Sequence, residues 1–292
     1  MSVNKRSYRS YTGPLTPMRS RFMVISRYGF AEVWHSRVTN ILFVLCLVPP
    51  LFSLFFIYLM NSPTARALIG MQGNAPLLQI DQRWFLQLLS AQCWMALLPA
   101  AWIGPRLISQ DLTHNALPII LSRPITRREY VLGKLIVLWG FLSAVTWAPV
   151  LLLFFFQAHM SLVPWAASHW FIATGTVIGS LIWIALLSLL ALALSAWVRW
   201  RIVATALVFG AIFVSAGFGT VFNAVMRSNL GTLVNLPVMN TQLWCALLNV
   251  PMPPYRQFLL PMWMVAASMT AMCIACGAAL NARIRAREVV RG

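Results

Sequence analysis

Six runs of almost unbroken apolar residues mark the chain, each close to the roughly 20 residues that a helix needs to cross a bilayer. They are Ile41–Leu59, Trp84–Trp102, Leu135–Phe156, Phe171–Val198, Ile202–Phe222 and Phe258–Leu280, and none holds Asp, Glu, Lys or Arg in its interior. Asn61-Ser62-Pro63 closes the first run, and Pro99 falls inside the second. The pattern predicts an all-α polytopic membrane protein with six transmembrane helices.

The polar intervals divide the rest. Residues 1–40 form a basic tail, 41–280 the six-helix domain, and 281–292 a second basic tail. Within the tail, Ser20–Arg37 puts Phe22, Met23, Phe30, Val33 and Trp34 on one third of a helical wheel, interrupted by Ser26 and Arg37. That modest amphipathic face suggests an interfacial helix, with an unstructured tail as the alternative. Of the links on the opposite side, 61–83 is moderately polar. The longer 223–257 contains Leu243-Trp244-Cys245-Ala246-Leu247-Leu248, apolar but too short to span. A re-entrant or interfacial helix is expected there, ended by Pro251, Pro253 and Pro254. It would serve either as a lid over a pathway or as a plain anchor for the loop.

Composition agrees with burial in lipid: 60% of the 292 residues are hydrophobic and 9% charged, where soluble domains carry roughly 25% charged residues. The net charge of +17 comes from 22 Lys and Arg against 5 acids. On a soluble protein it would suggest nucleic acid. Here the distribution argues for orientation and for no nucleic-acid partner. Only Arg66, Arg83, Arg227 and Arg256 fall on one side of the six spans, and the other eighteen basic residues fall on the side of the two tails. The positive-inside rule then places both termini in the cytoplasm. The first forty residues lack the apolar core of a signal peptide; a mitochondrial transit peptide can look similar, and a cytoplasmic tail in a multi-pass plasma-membrane protein, such as one of a bacterial inner membrane, is the favoured reading.

Candidate chemistry is sparse. Cys273 and Cys276 form a lone CxxC inside an apolar run, with no second pair for zinc. His159 and His169 share a loop without a neighbouring acid or cysteine. No HExxH, GxSxG or intramembrane aspartate pair occurs, so no catalytic set and no metal site are expected. Span interiors without ionisable groups also disfavour a proton- or ion-driven relay. Gly175 and Gly179 make a GxxxG in the fourth run, which allows close helix approach either within the protomer or at a dimer seam.

The interval 104–134 is the most informative. Gly104-Pro105 is expected to break the helix as it leaves the bilayer, and Arg106–Thr113 to form a short separate helix. Leu107, Ile108 and Leu112 would pack on a partner while Asp111 stays polar. Thr126-Arg127-Arg128-Glu129 fits a capping box, so the third helix should begin about two turns before lipid.

The run Ile108-Ser109-Gln110-Asp111, then Leu121-Ser122-Arg123-Pro124-Ile125-Thr126-Arg127, then Tyr130-Val131-Leu132-Gly133-Lys134 resembles the cytoplasmic loop of ABC-2 type transporter permeases. The resemblance implies an exporter transmembrane domain that pairs with a second copy or a similar chain, each bound to a cytoplasmic ABC ATPase subunit. Arg106, Leu107, Ile108, Asp111 and Leu112 would form the coupling helix that docks on the ATPase. Arg123, Arg127, Arg128 and Lys134 would lie near the ATPase or membrane lipids, with headgroup anchoring alone as the alternative. Gly133 would permit close packing at the start of span three. Gly133-Lys134 is followed by Leu135, and no G-x-x-x-x-G-K-[ST] loop occurs. The expected chain is therefore not an enzyme and holds no cofactor of its own, with ATP and Mg bound by the partner. An ATP-independent carrier or scramblase, or a non-transporting anchor for a soluble protein, are the rival readings.

Overall fold

Apolar segments in lipid must satisfy every backbone polar group internally, and helices do so. The computed structural model describes residues 21–62, 64, 80–114, 126–161, 165–198, 200–252 and 260–288. Among them the regular elements are all helical: α1 (Arg21–His35), α2 (Arg37–Asn61), α3 (Gln82–Thr113), α4 (Arg127–Val145), α5 (Trp147–Met160), α6 (Trp165–Trp197), α7 (Arg201–Met226), a 3-10 turn at Leu230–Leu233, α8 (Leu236–Leu247) and α9 (Met262–Glu288). Six are long and apolar enough to span a membrane: α2, α3, α4 with α5, α6, α7 and α9. The expected six-helix membrane protein is therefore observed. An even number of spans puts α1 and the end of α9 at the same end of the bundle. That end carries Arg27, Arg37, Arg106, Arg127, Arg128, Lys134, Arg201 and Arg283, while Arg83 and Arg227 lie at the other. We call it the basic end. The sequence signature at 121–124, with Arg123, lies outside the described residues, as do 1–20, 65–79 and 253–259.

Helices α3 and α6 form the centre, each with 56% of its most apolar window buried, against 17% for α2 and for α9. The expected break at Gly104-Pro105 does not occur, and α3 runs through it to Thr113. Two contacts explain why. Gly104 lets α6 approach so closely that a Cβ there would sit 2.7 Å from the Ala191 Cβ. The Ser195 hydroxyl of α6 donates to the Pro105 carbonyl at 3.2 Å and accepts from the Ser109 N–H at 3.1 Å, entering the ladder beside the proline.

Proline removes the N–H that would bond the carbonyl four residues earlier. For Pro50, Pro99, Pro105 and Pro149 those carbonyls are Cys46, Met95, Ala101 and Val145, and a neighbouring side chain reaches each one. Gln92 of α3 donates from its amide nitrogen to Cys46 O of α2 at 2.7 Å and also to Val145 O at the end of α4. The Cys46 thiol donates to Met95 O at 3.5 Å, and the Thr205 hydroxyl to Ala101 O at 3.0 Å. The third span breaks at Thr146 (φ −94°, ψ −87°), so Pro149 falls in the first turn of the new helix α5, where a missing N–H is tolerated.

Opposite the basic end, α8 dips into the bundle instead of lying flat on it. Asn235 caps it by accepting from the Val238 N–H at 3.2 Å, and Leu236, Met239, Asn240, Leu243 and Trp244 are buried. The helix starts before the apolar run that marked it in the sequence. Gly175 and Gly179 meet α8: a Cβ on Gly175 would lie 2.9 Å from Leu247 O, and one on Gly179 would run into the Trp244 indole. The GxxxG is thus a contact inside the protomer.

Candidate functional site at the basic end

Three elements converge where α3 leaves the bundle. Its last two turns face α1 on one side and the first turns of α4 on the other. The start of α4 is fixed as expected. The Thr126 hydroxyl accepts from the Glu129 N–H at 3.3 Å, and the Glu129 carboxylate accepts from the Thr126 N–H at 2.6 Å.

The acid of the site is engaged within the chain. Asp111 Oδ2 accepts from the Tyr130 hydroxyl at 2.6 Å and from the Lys134 ammonium at 2.9 Å. All three are shielded: Tyr130 is fully buried, Lys134 is 8% exposed, and the Asp111 side chain 19%. Lys134 therefore points inward to Asp111 and not toward headgroups. Across the loop, the pair joins the end of span two to the start of span three.

Placement of the remaining coupling-helix residues differs from expectation. Leu107, Ile108 and Leu112 are buried in the chain's own core and cannot pack on a partner. Because α3 does not break at Gly104-Pro105, its central stripe continues to Leu112, and α6 and α4 cover it. Arg106 is half-buried and donates to the Ser36 hydroxyl at 2.7 Å, at the joint between α1 and α2. The outward surface of the site comprises Thr113, His114, Arg128 and Leu132, with Arg127 half-buried beside them.

Helix α1 is the third member. Ser26, which interrupts the amphipathic face in the sequence, is buried and donates to the Gly133 carbonyl at 3.1 Å. Gly133 thus takes α1 as its neighbour. Gly29 lies against Val137, and Phe30 against Gly140, so close that a Cβ on either glycine would come within 2.8 Å. With its amide nitrogen turned toward them, Gln110 donates to the Glu32 carboxylate at 3.0 Å and the Arg106 carbonyl at 3.3 Å. Met23 and Trp34, placed on the apolar face by the sequence, are exposed. Trp34 nonetheless packs edge-on to Phe43, at 5.1 Å between ring centroids.

Sequence reasoning missed Tyr130 and Gln92. Tyr130 stands four residues before Lys134, a helical spacing that puts both on one face, and this was the available signal. For Gln92 it was an amide in the middle of an apolar run, which holds one other, Gln87. Among the described residues, no group of His, Cys, Asp and Glu could hold a metal ion. His169 sits at a kink in α6, stacked on Trp165 at 4.4 Å.

The class that fold and site define is a six-helix integral membrane protein whose basic end joins α1, α3 and α4. No family model matches the chain, and no curated protein matches it.

Proposed function

We propose that this chain is the membrane-spanning permease subunit of an ATP-driven exporter of the ABC-2 type. A separate cytoplasmic ATPase binds ATP and Mg and performs the hydrolysis, and a second copy or a similar chain completes the dimer. Both termini are cytoplasmic, in a plasma membrane such as a bacterial inner membrane. The observation that carries the reading is the Asp111–Tyr130–Lys134 cluster. It clamps together the two ends of the segment that resembles the permease coupling loop, and α1 is packed onto the same clamp. A push on the outward residues Thr113, His114 and Arg128 is passed to three helices at once, as a coupling element requires. Docking rests on that outward surface, while Asp111 braces it from behind.

The test is affinity capture of the detergent-solubilised chain from its native membrane, followed by mass spectrometry. An ABC ATPase is the expected co-purifying subunit, lost on His114→Glu with Arg128→Glu while the chain still inserts. Transport by the purified chain alone in vesicles, with no ATPase present, would overturn the reading in favour of an ATP-independent carrier.

A further inference from the structure

An open cleft of ≈ 460 Å³ lies at the basic end between the tip of α3 and the start of α7, lined by Ser109, Gln110, Thr113, His114, Trp200 and Arg201. Arg201 is held at its wall, with the guanidinium 3.9 Å above the centre of the Trp102 ring. Its Nη2 is buried and has no hydrogen-bond partner. The like charge of Arg106 acts directly on it. Arg106 is tethered through Nη1 to the Ser36 hydroxyl, and among the described residues neither arginine has a carboxylate within ion-pair distance. Asp111, the acid in the last turns of α3, is already committed to Lys134. At this end α7 starts with Trp200 as N-cap and no side-chain cap, so its first N–H groups face the same region.

A guanidinium that feels a like charge and meets no carboxylate is repelled, and the repulsion is strongest away from bulk water. A phosphate relieves it. The planar guanidinium fork matches two phosphate oxygens, and an uncapped helix start supplies further donors. We propose that this cleft is a binding site for a phosphate-bearing anion, held by Arg201 and the uncapped start of α7. The phosphate belongs either to an acidic phospholipid headgroup or to free inorganic phosphate. The proposal does not depend on the exporter reading, since it needs only the geometry of the basic end.

The full-length chain is reconstituted in nanodiscs of phosphatidylcholine with increasing phosphatidylglycerol, and retained lipid is counted by native mass spectrometry. A parallel arm adds inorganic phosphate in pure phosphatidylcholine and follows thermal stability. Wild type is expected to retain phosphatidylglycerol over phosphatidylcholine, and Arg201→Gln to weaken that preference about fivefold, the scale of one basic residue at an anionic surface. Arg27→Gln removes the same charge from the exposed face of α1, outside the cleft, and is expected to leave the preference unchanged. Stabilisation by inorganic phosphate, lost in Arg201→Gln, would assign the site to the free anion. Equal weakening by Arg27→Gln and Arg201→Gln would overturn the proposal, because diffuse charge would then explain the binding. So would a wild type indifferent to both lipid and phosphate, a result that requires no variant to fold.

Discussion

Asp111 shares one oxygen between a phenol and an ammonium, both out of water, so its removal strands a buried cation. Losing one partner of a buried ion pair costs ~3–5 kcal/mol, while replacing both by apolar groups is often neutral. Asp111→Asn is therefore expected to lower stability by about 3 kcal/mol, read as thermal unfolding in detergent. Adding Lys134→Met should recover most of the loss. If the double variant is as unstable as the single, the pair is not the brace described above. The sequence shows an acid in a basic loop but not what it faces. Asp111 and Lys134 lie on different helices, and the distance between them is set by how α3 and α4 cross. The same limit applies to Leu107, Ile108 and Leu112, since an apolar stripe at a helix tip reads alike whether another chain or its own neighbours cover it.

At the scale of elements, α6 and α8 approach closely at Gly175 and Gly179. Gly179→Val would drive its side chain into the Trp244 indole, whose Nε1 is 2.6 Å from where a Cβ would stand. Overpacking of this kind costs ~1–3 kcal/mol. A loss in that range is expected, together with faster proteolysis of the 223–257 segment. Gly277→Ala, with nothing within 4 Å of the new methyl, should leave both unchanged. Small residues at i and i+4 announced a close approach in the sequence. Its partner was harder to read, because α8 has only 12 residues and leaves no spanning-length signal. Helix α1 gave the opposite difficulty. Its serine looked like a flaw in an apolar face, yet that hydroxyl is what joins it to the Gly133 carbonyl.

For the whole molecule, the six spans were legible because a slab without water imposes both length and helicity. Which spans sit at the centre was not. The α3 window has a mean hydropathy of 1.3 and is 56% buried, whereas the α2 window reaches 2.5 and is 17% buried. Lipid is as apolar as a protein core, so hydropathy does not sort inside from outside, and the interior instead gathers the polar side chains that join helices. Orientation remains an inference from charge and can be measured. In a background lacking the five native cysteines, His114→Cys should resist an impermeant maleimide applied outside intact cells, and Arg227→Cys should react. The reverse pattern would place the basic end outside, away from ATP, and exclude an ATPase partner there. The Gln92 amide carries a consequence for any such motion. Its two hydrogens serve the carbonyls exposed by Pro50 and by Pro149, so the first and third spans share a single pivot. Neither bend can straighten or deepen in mid-membrane without tugging on the other, and the two must swing as one yoke.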